Sequence, residues 1–309
     1  MVLFLWSCSN VGKPESHPDF ASIRTQIGNK AELYEQLIPD VSGPDGFLAT
    51  KHCDSVLFSG LYGAGNSNVN LLAARAPDGT WRRRTLALPD CYFSTQEERD
   101  AAGVGGSRSS ISRDMFVGII WWLWRHGDRE GLRQILDYAI ANDYVMGQGD
   151  PFRTGLGTTL SSIIAEAIYS LSSGNINYLK HRLFPRTYAS GLKSYEAHLQ
   201  VWLIVLEAEI TGRVTNTMYN RLREHVLRQP NNPLYQAAWA VYGTGSLELT
   251  GNILLDEDKY PSDKLPTHCS SWPINNDNPE VWKPCAPGSD TESTGAELVA
   301  IYRLVLCSR

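Results

Sequence analysis

The stretch SSISRDMFVGIIWWLWRHGD, residues 109–128, decides the fold class. Its centre, MFVGIIWWLW, is apolar without interruption, whereas Ser112, Arg113 and Asp114 stand immediately before it. A helix that is apolar on every side has to be buried on every side. The sequence therefore predicts a helix that is enclosed by other helices and carries an arginine and an aspartate at its entrance.

The rest of the chain also predicts mainly helices, and several apolar segments end at a glycine, the residue best suited to the left-handed position that terminates a helix. The segment 68–88 contains a PDG turn and predicts either a small hairpin or an extended loop. The predicted helices are 47–63, 111–126, 128–142, 157–173, 194–211, 215–228, 233–243, 246–255 and 293–306.

A second segment, HLQVWLIVLEAEI at 198–210, is nearly as apolar as the first. A simple bundle of three or four helices encloses none of them fully, whereas an α/α toroid surrounds an inner ring of helices with an outer ring. The apolar helices, the glycine-terminated hairpins and the SRD entrance resemble those of the (α/α) toroid enzymes that act on polysaccharides. This resemblance of architecture covers residues 47–306. It implies an all-α fold, a complete or incomplete double ring of helical hairpins with long loops and at most a small hairpin.

Composition and charge narrow the class of protein. The chain has 309 residues, 42% of them hydrophobic, which is enough for a substantial core. Its net charge is −5 and no basic stripe stands out, so a nucleic-acid partner is not expected. No apolar run reaches the roughly 18 residues of a membrane-spanning helix.

The first residues, MVLFLWSCSN, resemble the end of a bacterial lipoprotein signal, although no Lys or Arg precedes their short apolar run. The resemblance implies that Cys8 carries lipid and that residues 1–20 are a signal remnant and tether. Residues 21–309 then form one helical domain in the bacterial cell envelope, which contacts the membrane only through the anchor. The alternative is an ordinary apolar N-terminus.

A long loop rich in Pro, Asn and Asp occupies 256–292 and is expected to cover one end of the helical body. In an exported protein its two cysteines are plausible disulfide partners, although the sequence leaves the connectivity open. The candidate pairs are Cys269 with Cys285 and Cys53 with Cys91, which leaves Cys307 unpaired. The cysteines have no zinc-binding spacing, so neither a structural metal nor a cofactor is expected.

Carboxylates at helix entrances are the candidate catalytic groups, because glycosidic hydrolysis ordinarily needs one protonated and one ionised carboxyl group. Asp114 and Asp54 each stand near the start of an apolar helix. If both helices belong to the inner ring, the two side chains face each other across a cleft. The competing interpretation is that Ser110 or Ser112 caps the helix and that Asp114 stabilises its first turn.

Other polar and aromatic residues near the entrances and loops are candidates for substrate binding. These are His52, Arg113, Arg153, Glu196, His198 and Trp272. Together His52, Asp54 and His198 could also bind a metal, but their spacing is not diagnostic. The acids inside apolar helices, expected to form structural ion pairs, are Glu166, Glu207 and Glu209.

These observations favour an exported glycoside hydrolase that acts on a polysaccharide or oligosaccharide through Asp54 and Asp114. A polysaccharide lyase, with His198 or a tyrosine as the base, is one alternative. The other is a non-catalytic surface lipoprotein that binds a glycan or a protein. Two carboxylates in one concave site would favour the enzyme, whereas carboxylates consumed by caps and ion pairs would favour a scaffold.

Overall fold

The computed structural model describes residues 18–38, 46–48, 54–65, 69–77, 79–83, 97, 110–147, 154–172, 178–192, 194–265, 267–268, 292–293 and 295–307. These residues are mainly helical, which confirms the all-α prediction. The helices are α1 (Pro18–Leu37), α2 (Ser55–Ala64), α3 (Met115–Arg125), α4 (Arg129–Ala141), α5 (Gly157–Leu171), α6 (Leu179–Arg182), α7 (Ser194–Thr211), α8 (Asn216–Arg228), α9 (Pro233–Tyr242), α10 (Leu247–Leu254) and α11 (Gly295–Ala300). Helix α11 continues as a π-helix over Ile301–Leu306.

Two short antiparallel strand pairs join loop ends. They are β1 (Val145–Met146) with β2 (Thr154–Gly155), and β3 (Thr267–His268) with β4 (Glu292–Ser293). The second pair joins the chain before and after residues 269–291, which lie outside the described residues, as does most of the predicted covering loop.

Two helices were not predicted. Helix α1 begins at Pro18, inside the segment 1–20 that was interpreted as a signal remnant and tether. Its buried residues Ile27, Ala31 and Tyr34 recur at helical spacing, but they form only a narrow stripe in a polar sequence. The other missed helix, α6, is only four residues long. In addition, the predicted helix 47–63 begins later, at Ser55.

Helix α3 is enclosed as the sequence predicted, since every residue from Met115 to Leu123 is buried. Its closest neighbour is α2. A Cβ atom placed on Gly118 would lie 2.2 Å from the carbonyl oxygen of Leu57, so the two backbones are in direct contact there. One turn further along both helices, Gly63 lies against Trp122. The contacts follow the same order in both helices, which therefore run parallel.

Other neighbouring helices are parallel for the same reason. The ordered contacts are Arg113 with Gly155 and Trp124 with Ser170 for α3 and α5, and His198 with Tyr235 and Glu209 with Tyr242 for α7 and α9. Helix α11 packs along α2, and its π-helical continuation places Arg303 against Gly65 at the end of α2. Because the two helices of each pair are parallel, their starts lie side by side.

The segment between α2 and α3 folds back on itself at the PDG turn. A 3-10 turn spans Leu71–Ala74, and Arg75 then forms an isolated antiparallel bridge with Trp81. Gly79 makes the reversal with a φ of +86°, which glycine tolerates best. The returning chain reaches the start of α2, where the Val56 N–H donates to the carbonyl of Arg83 over 3.0 Å. The segment 68–88 was predicted to be either a small hairpin or an extended loop. Up to residue 83, its described residues form this short reversal.

Some glycines end helices as predicted and others do not. Gly127 and Gly212 have φ values of +67° and +65°, the left-handed conformation expected after α3 and α7. Gly65 and Gly243 follow α2 and α9 with φ values of −99° and −125°, so the left-handed prediction is wrong there.

Cys307 takes part in a disulfide bond, so the expectation that it stays unpaired is wrong. The predicted pairs Cys269–Cys285 and Cys53–Cys91 lie outside the described residues, and nothing within those residues supports these pairings. Among the helices of the described chain, none has both the length and the apolar character needed to cross a bilayer.

Candidate functional site

Asp54 is the residue at which helix α2 begins. Its side chain makes no capping hydrogen bond to the helix, and the residue is only 9% exposed. Instead, its Oδ1 atom lies 3.3 Å from Nη1 of Arg83, and the Arg83 side chain is buried as well. A carboxyl group removed from water in this way needs a charged or hydrogen-bonding partner, which Arg83 provides.

Asp114 occupies the same position at the start of α3. It is the N-cap residue itself, so the expectation that Ser110 or Ser112 caps this helix is wrong. The Asp114 side chain makes no capping hydrogen bond either, although its backbone carbonyl accepts from Val117 over 3.0 Å. Within the part of the chain that the structure describes, its half-buried carboxylate forms neither a hydrogen bond nor an ion pair. A capping hydrogen bond therefore does not account for the Asp114 side chain.

The two aspartates interact. The pKa of Asp54 is raised from 3.8 to about 7, mainly by burial and also by the negative charge of Asp114, while the positive charge of Arg83 acts in the opposite direction. Near neutral pH the site therefore contains a carboxyl group that can hold a proton, beside a second carboxyl group. The structure brings together the two residues that the sequence singled out for catalysis.

Arg113 anchors the entrance of α3 to its neighbour. The residue is exposed, and its Nε donates to the carbonyl of Gly155 over 3.0 Å. Because Gly155 lies in β2, directly before α5, this bond fixes the start of α3 beside the start of α5. If Arg113 binds substrate as predicted, it would do so through its two Nη atoms, since Nε is bonded to Gly155.

The loop that leads into this region is strained. Asp143 and Tyr144 have φ values of +52° and +62°, and a bulky residue rarely adopts this left-handed conformation. Hydrogen bonds hold Tyr144 in place: its hydroxyl group pairs with Nε2 of His181 at 2.8 Å, and its carbonyl accepts from Leu156 over 2.8 Å. The strain is therefore located at the connection that positions the start of α5.

His198 lies at the start of α7 in a separate buried cluster. Its Nε2 atom is hydrogen-bonded to Glu297 at the start of α11, and its side chain is only 2% exposed. The ring of Tyr235 lies beside it and also beside His225, whose Nε2 pairs with Gln200 at 2.9 Å. Burial lowers the pKa of His225 to about 4. His198 is thus hydrogen-bonded within the protein, and little of its side chain is accessible to a substrate.

The remaining predicted binding residues are only partly accounted for. Glu196 is exposed in the first turn of α7. His52, Arg153, Trp272 and the proposed lipidation site Cys8 lie outside the described residues. No group of three or more His, Cys, Asp or Glu side chains that could hold a metal ion occurs within the described ranges.

Two of the three acids inside α5 and α7, Glu166 and Glu207, form ion pairs, as predicted. Arg186 bridges Glu207 and Glu166, with nitrogen-to-oxygen distances of 2.7 and 2.9 Å. Arg182 adds a second contact to Glu166 at 3.0 Å, and the hydroxyl group of Tyr188 donates to Glu207. Glu209, the third acid of this set, accepts a hydrogen bond of 2.5 Å from Tyr242. These acids connect helices and are not candidates for proton transfer.

Sequence reasoning missed Arg83 and Glu297. Arg83 belongs to the WRRRT segment, whose three arginines are indistinguishable until the chain reversal at Gly79 is known. Glu297 stands at the start of a predicted apolar helix, the same signal that identified Asp54 and Asp114, so this residue could have been found. Comparison of the chain with protein-family models, curated proteins and solved structures gives no match.

Proposed function

We propose that this protein is a glycan-cleaving enzyme, a glycoside hydrolase built on an α/α toroid, with Asp54 and Asp114 as its catalytic pair. The single observation that carries the proposal is the interaction of these two carboxyl groups at adjacent helix starts, where neither caps a helix.

The helix contacts support the toroid. In the proposed inner ring each helix packs on the next, and the last packs on the first; the order is α2, α3, α5, α7, α9 and α11, where α9 contacts α11 through its π-helical continuation. The other long helices bridge ring members from outside: α4 contacts α3 and α5, α8 contacts α7 and α9, and α1 and α10 contact each other beside α11 and α9. Because neighbouring ring helices run parallel, their starts would surround one mouth.

The two aspartates would divide the chemistry of hydrolysis. Asp54 donates its proton to the glycosidic oxygen as the bond from that oxygen to the anomeric carbon breaks. Asp114 either accepts a proton from the water that attacks the anomeric carbon, or attacks that carbon itself and is later released by water. In both routes one water molecule is consumed, and Asp54 recovers a proton. Different environments for two carboxyl groups are the usual basis for such a division.

Substrate binding would use residues at the same mouth. Arg113 and Glu196 are exposed at the starts of α3 and α7 and are proposed to bind sugar hydroxyl groups. His52, Arg153 and Trp272 remain proposals of the same kind. The lyase alternative has less support with His198 as its base, since His198 is buried and bonded to Glu297; a tyrosine is the other candidate base.

We also propose that the protein is exported and anchored to the bacterial cell envelope through lipid on Cys8. This proposal rests on the sequence MVLFLWSCSN alone. Mass spectrometry of the mature N-terminus tests it: a diacylated or triacylated Cys8 would support the anchor, and an unmodified residue upstream of Cys8 would exclude it.

The catalytic proposal is tested with Asp54→Asn and Asp114→Asn, assayed on a panel of cell-wall and matrix polysaccharides. Each variant is expected to lose roughly 10²- to 10⁴-fold in turnover, the usual contribution of a general acid or base. Glu248→Gln, which changes an exposed acid at the start of α10, is the matched control and should retain full activity. Turnover that survives both Asp variants would refute the mechanism. A wild-type protein that binds a glycan without cleaving it would instead favour the binding alternative.

A further inference from the structure

Arg83 contacts the start of α2 through both its backbone and its side chain. Its carbonyl accepts a hydrogen bond of 3.0 Å from the Val56 N–H in the first turn of the helix. Its guanidinium reaches back to Asp54, the residue before that turn, at 3.3 Å. Both side chains are largely withdrawn from water, with exposed fractions of 5% and 12%. Such an ion pair is screened little by solvent or salt.

The segment that carries Arg83 is itself fixed. The N–H of Arg82 donates to the carbonyl of Ala74 over 2.9 Å, and the adjacent Trp81 is fully buried. The guanidinium therefore approaches Asp54 from a rigid support and not from a mobile surface side chain. Groups held in this way keep a neighbouring carboxyl group in one orientation.

We propose that Arg83 is the positioning residue of the catalytic pair, which fixes the carboxyl group of Asp54 in its orientation toward Asp114 and stabilises its ionised form during turnover. This inference rests on the proposed function. Arg83 would not touch the substrate. It would act by making the proton of Asp54 available to a leaving group and then tolerating the negative charge that remains.

The charged groups around Asp54 are consistent with this role. Asp114 on α3 favours the protonated form and Arg83 favours the ionised form, and these are the two described residues whose charges act appreciably on the group. Helix α11 also packs on α2, but its acid Glu297 is bonded to His198. Within the part of the chain that the structure describes, Arg83 is thus a cation that offsets the effects of burial and of Asp114.

The experiment is a titration of Asp54 in the full chain, followed by NMR with aspartate labelled with carbon-13 at Cγ. The Asp54 signal is assigned by its absence in Asp54→Asn. In Arg83→Met and Arg83→Gln the pKa of Asp54 is expected to rise by about one pH unit or more, because the charged form loses its cation. Arg83→Lys keeps a positive charge but not the planar fork of donors, so a smaller rise is expected.

The control is Arg82→Met, which removes the neighbouring arginine on the same segment and should leave the titration of Asp54 unchanged. Circular dichroism verifies folding, and Arg83→Lys serves as the variant that retains the fold if the neutral substitutions do not. An Asp54 titration in the Arg83 variants identical to that of the wild type would overturn the inference. Since the titration needs no substrate, it can succeed or fail independently of the glycan assay. Where turnover is measurable, its alkaline limb should move upward with the same pKa.

Discussion

Two buried groups of acids in this protein are neutralised to different extents. Between α5 and α7, Glu166 and Glu207 are matched by Arg182 and Arg186. At the starts of α2 and α3, Asp54 and Asp114 share a neighbourhood in which Arg83 is the one cation that acts appreciably on Asp54 among the described residues. Among the described residues, the first group has two cations for two carboxyl groups, and the second has one cation for two.

The difference distinguishes charged groups that join helices from charged groups that can gain or lose a proton. A balanced buried network joins elements and holds its protons fixed, because each ionised group is compensated. An unbalanced pair can lower its energy by retaining a proton, which is what the proposed role of Asp54 as a proton donor requires. Residue type and burial alone do not distinguish the two groups, whereas the number of cations does.

The largest expected effect comes from breaking the balanced network. Arg186→Met would leave Glu207 and Glu166 without their shared cation in a largely buried site, which should cost about 3 kcal/mol or more of the free energy of unfolding. Urea denaturation followed by circular dichroism measures this loss. Arg213→Met, at an exposed arginine after α7, is the control and should change stability by less than about 0.5 kcal/mol. Equal effects in the two variants would contradict the structural role assigned to the network.

The unbalanced pair should appear in the pH dependence of stability. Below pH 3.8, the ordinary pKa of the group, Asp54 is protonated whether the chain is folded or unfolded. Between that value and about 7 only the unfolded chain releases the proton, so the contribution of Asp54 to stability falls as the pH rises. Across this window the wild type should lose roughly 2–4 kcal/mol relative to Asp54→Asn.

Denaturation of both proteins at a series of pH values from 4 to 8 gives this difference directly. The other titrating groups are common to both chains, so they largely cancel. A difference that stays flat, or one that rises with pH, would show that Asp54 is ionised throughout and that the excess of carboxylate has no consequence.

A smaller effect is expected at the contact that sets the spacing of the pair. In Gly118→Ala the new methyl group would meet the Leu57 carbonyl of α2, so the helices must separate, at a cost of about 1–3 kcal/mol. The separation should also lower the proposed glycan-cleaving activity, since Asp54 and Asp114 stand at the starts of these helices. Gly155→Ala, whose methyl group would have Tyr144 as its nearest neighbour at 3.8 Å, is the matched control for stability. Unaltered stability in Gly118→Ala would refute the close packing of α2 on α3.

Helix α3 shows what the sequence could predict. An unbroken apolar run predicts a helix that is buried on every side, and in the structure every residue from Met115 to Leu123 is buried. The boundaries of the later helices followed from the same periodicity, and α7 was predicted at its observed limits, 194–211. The positions of Asp54 and Asp114 at adjacent helix starts followed once the helices were taken as neighbours.

The features that escaped prediction depend on distant contacts. Arg83 pairs with Asp54 across 29 positions because a short reversal carries it back to α2, and no local pattern encodes that return. Helix α1 was missed because its apolar stripe is narrow and its partners, α10 and α11, lie near the other end of the sequence. Local patterning specifies elements well, whereas ion pairs between elements need the tertiary structure.

The pairing of the first helix with the last affects how the molecule can be made. Arg303 binds Glu35 across a separation of 268 positions, and Tyr302 packs on Gly28. A chain emerging from the ribosome cannot form these contacts until residues 302 and 303 have been synthesised. Contacts of such high sequence separation slow folding, because a long stretch of chain must be ordered before they can form. During synthesis the apolar stripe of α1 therefore lacks these partners until α10 and α11 have emerged.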